Sequence, residues 1–295
     1  MASAQLRDTR RRIRSVEAIK KITRAMELIA TSRIPKAQAR VNASKPYTAK
    51  LIEVIENVGA AGAGSGHRLL EQREVKTVGL VIVSSDRGLA GSYASNLIRL
   101  AETRIRDLDR EGRSVILYTI GKKAQGYFRY RGYRIENAYL GVTDTPGYGD
   151  ARAIANSVLA AFAVAKIDSV EVLFTRYHSA MTQVPTRLEL LPITPPEMSD
   201  EERGQRVAYE FEPSPEEILD RLLPRYVEAT IFNMLLEASA SEHSARRRAM
   251  KAATDNAEDL IRVLSVQANR ARQAEITTAI SEIVGGAEAL AEGRK

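Results

Sequence analysis

Three histidines and no cysteine restrict the chemistry open to this chain. His67, His178 and His243 are scattered, and none has a second His or Cys at ligand spacing, so no metal site is expected. Without cysteine there is no thiolate, disulfide or thiol switch. The glycine run at 59–66 (GAAGAGSG) holds Gly62, Gly64 and Gly66, but it follows a helical stretch. A phosphate-cradling loop needs strand, loop and helix in that order, so the run reads as a flexible linker. Residues 84–93 (SSDRGLAGSY) follow an apolar run, the place where α/β sheets bind nucleotides. The segment fits neither GxGxxG nor GxxxxGK[ST], and Asp86 with Arg87 reads as a structural pair holding a turn. No Ser-His-Asp set or carboxylate pair converges on a motif. No catalytic residue, cofactor or metal is therefore expected.

The elements around that segment alternate. Residues 75–84 (VKTVGLVIVS) have the Val/Ile content of a buried strand. A helix to about 108 follows, then a strand at 114–120, a helix at 122–130 and a short strand near 133–140. A helix at 150–165 precedes strands at 169–177 and 184–193, the last two paired as a hairpin. This pattern predicts an α/β fold with right-handed crossovers, a Rossmann-like domain over 75–195 preceded by a linker over 59–74.

The two ends of the chain are helical. In the last part, 206–290, Met250, Thr254, Ala257, Ile261, Leu264, Ala268 and Ala271 alternate at spacings of four and three, the seam of a coiled coil. Its small members allow a partner helix to come close. Residues 200–205 read as a charged loop, Ser214 as a cap with Pro215 at the first helical position, and Pro224 as a bend. In the first part, 1–58, the apolar stripe Leu6, Ile13, Val16, Ile19, Ile22, Met26 and Ile29 marks an amphipathic helix rich in Arg and Lys. That stripe fades after Ile29, where Arg33 and Lys36 fall at its next positions. Pro35 predicts a kink or pause between Thr31 and Pro35. The economical fold pairs the two ends as a long antiparallel coiled coil beside the α/β domain. No apolar run approaches the ~20 residues of a membrane span, and the basic N-terminus lacks the apolar stretch of a secretory signal. The net charge of +7 calls for an anionic partner: nucleic acid, a membrane surface or an acidic protein.

Three groups of residues resemble a known family. RRIRSV at 11–16 and KKITRAM at 20–26, with Ala37-Gln38, form the first, and SSDRGLAGSY at 84–93 the second. The third is ASEHSAR at 240–246, AMKAATDNA at 249–257, ARQA at 271–274, Ile276-Thr277 and ISEIVG at 280–285. In this order, over the whole chain, they resemble the gamma subunit of the F-type ATP synthase. The resemblance implies a rotating central shaft, with the terminal helices inside a ring of three alpha and three beta subunits. The α/β domain would sit on the epsilon subunit and the membrane c-ring, at the cytoplasmic face of a bacterial plasma membrane. The subunit would couple proton-driven rotation to ATP synthesis without itself being catalytic, binding no nucleic acid and inserting no segment into the membrane.

The resemblance also implies partner contacts. Arg272 and Gln273 match residues that touch a beta-subunit loop. Lys21, Arg24, Met26 and Arg246 match positions that face each other or beta across the rod. Two positions depart from the family pattern: Ala279 stands where relatives usually carry Glu, and Pro35 where they keep an unbroken helix. The absence of a thiol-containing insert points to the bacterial type. Two other classes stay open at this level: a nucleic-acid-binding coiled coil, which lacks interleaved aromatics, and an enzyme on the α/β domain, which lacks a catalytic set. Co-purification with alpha and beta subunits discriminates among them.

Overall fold

The computed structural model describes residues 2–60, 67–194, 212 and 214–292, with side chains from 5 to 58 in the first stretch and to 287 in the last. The glycines 62, 64 and 66 and the charged loop 200–205 lie outside the described residues. The element order is α1 (Ala2–Ala60), β1 (Thr77–Val83), α2 (Tyr93–Arg110), β2 (Ser114–Ile120), α3 (Lys122–Tyr130), β3 (Ile135–Tyr139), α4 (Tyr148–Ala163), β4 (Ser169–Tyr177), β5 (Gln183–Leu191) and a final helix, α5 (Pro215–Glu292). The chain divides into two compact units, 1–29 with 247–295, and 30–246.

In the larger unit the five strands lie in the order β3-β2-β1-β4-β5. β1 to β4 pair in parallel and β5 runs antiparallel to β4 as a hairpin. The chain steps from β1 outward through β2 to β3, then returns to the other side of β1 for β4. Crossovers of one hand must then put the helix of the return step on the opposite face. They do. Leu97, Ala101 and Ile105 of α2 and Ala124 and Phe128 of α3 pack on Leu80, Ile82, Leu117 and Leu173. On the other face, Ile154, Val158 and Phe162 of α4 join Val81, Tyr118, Ile120 and Phe174. Leu219, Leu223, Val227, Ile231 and Leu235 of α5 and Ile55 and Val58 of α1 complete that second core. β1 is covered on both sides, which is why it reads as an apolar run rather than an alternation.

The pause expected at Thr31–Pro35 is absent: α1 is unbroken through Pro35 and Pro46, and α5 is likewise unbroken through Pro224. An interior proline costs about 3 kcal/mol. Around Pro224 the burial of Leu219, Leu223 and Val227, each worth about 1.5–3 kcal/mol, outweighs that cost. Pro35 is exposed between buried Ile34 and Val41, so its ring meets solvent while its neighbours stay packed. α5 begins as its sequence indicates, with the Glu217 amide donating to Ser214 Oγ at 3.2 Å.

The seam of α1 differs from the expected stripe. Ile13, Val16, Lys20, Thr23, Glu27, Ala30, Ile34, Ala37, Val41, Ser44, Thr48, Leu51, Ile55 and Val58 are buried or half-buried, in unbroken steps of three and four. Ile19, Ile22 and Ile29 are more than half exposed. The seam therefore does not fade at Arg33 and Lys36; it runs on a neighbouring face through Ile34 and Ala37. The seam expected on α5 is observed, with Met250, Thr254, Ala257, Leu264 and Ala268 buried and Ile261 and Ala271 half-buried.

Candidate functional site

Residues 84–93 leave the carboxyl end of β1 and meet the α5 motif 240–246. The Ser84 amide donates to Ile120 O at 2.9 Å, joining the ends of β1 and β2. Gly121 opens α3 at φ 92°, and a Cβ there would stand 2.8 Å from the Ser85 carbonyl carbon, so only glycine fits. Asp86 holds the turn, but not through Arg87. Its Oδ1 accepts from the Lys122 amide at 3.2 Å, and its Oδ2 from the Thr143 amide and hydroxyl at 3.3 and 3.1 Å. The expected Asp86–Arg87 pair is thus replaced by backbone-directed bonds, and Asp86 already occupies the start of α3 as an anion would.

The crevice outside β1 and β4, where the strand order reverses, is filled by α5. Tyr93 Oη donates to Ala238 O at 3.1 Å, and Ser241 Oγ donates to Thr175 O at 3.1 Å. Burial, reinforced by Glu242, pushes the Tyr93 hydroxyl far above its ordinary pKa. Glu242 is 2% exposed and Arg246 7%, joined at 2.5 Å one helical turn apart. Arg246 also reaches Gly88 O at 3.4 Å. Burial raises the Glu242 carboxyl above the usual range while the Arg246 guanidinium pulls it back. Next to it His243, also buried, sets Nε2 3.3 Å from Asp144 O. Its burial lowers the imidazole pKa against the opposing pull of Asp144. Asp144 in turn binds Arg33 of α1 with both carboxylate oxygens. Burial would raise the Asp144 pKa, but the Arg33 hydrogen bond and charge hold it below the ordinary value.

In the smaller unit, residues 20–26 and 249–257 come face to face. Thr23 Oγ1 and Thr254 Oγ1 are 2.8 Å apart in the seam, and Lys20 pairs with Glu258 at 2.8 Å, which fixes an antiparallel register. Lys21 is exposed, Arg24 is exposed and bridged to Glu27 at 2.9 Å, and Met26 is half-buried. Arg272, Gln273 and Ala279 are all exposed on α5. Of the six partner-contact residues read from sequence, five are thus at least partly accessible; Arg246 is spent internally on Glu242. Leu260, Val263, Val266, Ile276, Ile280, Ile283 and Val284 add exposed apolar side chains along α5. Among the described residues no three His, Asp or Glu side chains are placed to hold a metal ion, and no helix is long and apolar enough to cross a membrane. Asp144 carries much of this geometry without having stood out in the sequence, and Arg33, Thr23 and Glu242, though within stretches singled out there, had no assigned partner. The Thr at an α5 seam position was the one available signal for Thr23, since a buried hydroxyl needs a partner.

A family model described as ATP synthase matches residues 5–290. The ATP synthase gamma chain of Frankia casuarinae is 50% identical over 99% of both chains. The chain belongs to the ATP synthase gamma-chain family. The gamma chain of Mycolicibacterium smegmatis is 44% identical, over 98% of this chain and 99% of that one. The fold is shared with a chain of the Euglena gracilis mitochondrial ATP synthase OSCP/F1/c-ring structure, at TM-score 0.70 and 17% identity over 99% and 97% of the two chains. It is also shared with a chain of the Tetrahymena thermophila central stalk and c-ring, at TM-score 0.59 and 23% identity over 79% and 99%. Membership in the gamma-chain family agrees with the resemblance read from the three motif groups.

Proposed function

We propose that this gamma chain is a non-catalytic central shaft, turning within three alpha and three beta subunits and seated through its α/β domain on an epsilon subunit and a c-ring. In this reading the assembly lies at the cytoplasmic face of a bacterial plasma membrane, and the shaft couples proton-driven rotation to ATP synthesis. The observation that carries the reading is the antiparallel pairing of residues 20–26 with 249–257, which leaves Lys21, Arg24 and exposed apolar side chains facing outward. A pair of helices with a seam of small residues transmits twist, while exposed apolar groups contact a surrounding sleeve without directional bonds that would lock it. Basic side chains along α1 suit acidic loops on a partner. The crevice where α/β folds bind nucleotides is filled by Ala238–Arg246, which supports a coupling rather than a catalytic role.

The test is reconstitution. Added to separated alpha and beta subunits, the chain restores ATP hydrolysis, while alone it neither hydrolyses ATP nor binds nucleotide tightly by calorimetry. A chain that leaves the alpha and beta subunits inactive refutes the shaft. Truncation after Val266 removes Arg272 and Gln273; proton pumping per ATP hydrolysed in vesicles is expected to fall while assembly persists. Unchanged pumping after that truncation removes those two residues from the coupling surface.

A further inference from the structure

We infer that the loop at 140–147, between β3 and α4, is a clasp that locks both long helices to the α/β domain against sliding, with Asp144 and Arg33 as its positioning residues. The inference rests on the shaft reading above. All the residues concerned belong to the 30–246 unit. From this one loop, Asp144 binds Arg33 of α1 through its carboxylate, and the Pro146 carbonyl accepts from Arg40 two turns further along the same face. The Asp144 carbonyl accepts from Ser239 Oγ of α5 at 3.1 Å and faces His243 Nε2 at 3.3 Å. Thr143 bonds Asp86 on the β1 turn. At the start of α4, Tyr148 Oη donates to Glu228 of α5 at 2.8 Å, and Arg152 pairs with the same carboxylate at 3.6 Å.

The apolar cores cannot do this job alone. Hydrophobic burial is non-directional and opposes separation far more than it opposes a slide of one smooth surface along another. Hydrogen bonds and ion pairs are directional, and they are lost within an ångström or so of displacement. α1 joins the α/β domain's second core at Ile55 and Val58, and Val41 packs with Tyr177, Leu236 and Ala240. Two directional ties run from this stretch of α1 to the domain, through Arg33 and Arg40, and both end on this loop; Thr48 further along accepts from Asn233 of α5 at 2.6 Å. Asp144 and Pro146 therefore give a twisting load carried by α1 a directional path into the domain. The same Asp144 ties α5, so the two helices are referred to one residue.

The test uses the full complex in proton-pumping vesicles, with Asp144→Ala, Arg33→Ala, and the swap of Asp144→Arg with Arg33→Asp. Each single change is expected to lower protons pumped per ATP hydrolysed by about twofold or more, the range expected for residues that carry coupling. ATP hydrolysis itself should stay near the wild-type rate, and the swap should recover pumping. A merely structural role would move assembly yield and not the pumping ratio. Singles with wild-type pumping ratios overturn the clasp, as does a swap that fails to recover a ratio the singles have lost. If the Asp144 and Arg33 singles do not assemble, Ser239→Ala and Arg40→Ala, which each remove one tie to the loop, decide by the same ratio. A wild-type chain that couples alongside uncoupling-free variants sinks the clasp alone; a wild-type chain that does not activate alpha and beta sinks the shaft reading itself.

Discussion

The two units of this chain are held together by different means. In the 30–246 unit, aromatic and branched side chains fill two cores, and buried Tyr93, Glu242, His243 and Arg246, with half-buried Asp144, join sheet, loop and helix. In the unit formed by 1–29 and 247–295, the buried side chains are a thin line that includes Leu6, Thr23, Met250, Thr254, Ala257, Leu264 and Ala268. Large apolar residues there face outward instead. The lesson is that one unit is built for internal stability and the other keeps its apolar surface for something else to cover.

The largest difference is expected in the cores. Phe162→Ala, at a site with no exposure, should destabilise the larger unit by about 3–5 kcal/mol in chemical denaturation. Leu264→Ala, in the thin seam, should fall at or below the bottom of the usual ~2–5 kcal/mol range. Equal losses would remove the contrast.

Next comes the buried pair. Arg246→Ala leaves Glu242 without its charge partner and should cost about 3–5 kcal/mol, whereas the double change Glu242→Leu with Arg246→Met should cost much less. The difference between those two variants, read from unfolding midpoints, measures how much of the pair's effect is the penalty for an orphaned charge.

The pH response follows from His243 and Asp144. The His243 pKa is lowered in the folded chain, so its neutral form supports folding above the ordinary histidine value of about 6.5, and that support is lost as the pH falls below it. The Asp144 pKa is also lowered, and its contribution is lost further down, below the ordinary carboxylate range. Glu242, raised by burial, acts in the opposite sense on acidification. His243→Gln should therefore flatten the stability slope just below pH 6.5 by at most about 1.4 kcal/mol per pH unit. An unchanged slope means that the histidine's charge is not coupled to folding of this unit.

The smallest effect concerns the seam hydroxyls. Thr23 and Thr254 have two hydroxyl protons for three contacts, to Lys20 O at 3.0 Å, to Met250 O at 2.9 Å and to each other at 2.8 Å, so when one hydroxyl donates to the other it gives up its backbone carbonyl. Thr23→Val should cost about 0.5–1.5 kcal/mol, and Thr23→Val with Thr254→Val should recover part of it. Amide exchange around residues 20–26 reads the change, and a double variant worse than the single would show that the hydroxyl pair does more than satisfy itself.

Much of this architecture was legible from local pattern. Strands β2 and β4 and helix α3 have the bounds that their residue runs indicate, and the Ser214 cap and the α5 seam stand where their sequence signals are. The candidate surface was legible in part. Lys21, Arg24, Arg272 and Gln273 are accessible as a partner surface needs, but the burial of Arg246 depends on Glu242 and on Gly88, the latter far away in the chain. The pause expected at Pro35 is absent because packing overrides the local backbone cost on which that reading rested.

By itself, then, the sequence determined the periods: alternation of strand and helix in the middle, and a three-four repeat at both ends, because side-chain direction repeats with backbone geometry. The tertiary structure decided which of two neighbouring stripes on α1 became the seam. Counting apolar residues favours Ile19, Ile22 and Ile29, yet Thr23 and Ala30 are buried instead. The choice rests on the partner helix, whose Thr254 hydroxyl and small neighbouring residues accept a close approach by Thr23 from 231 positions away. It likewise decided that Asp144, alone in a loop of the sequence, would meet Arg33 on one helix and Ser239 on the other, since only folding brings those three elements within hydrogen-bonding reach.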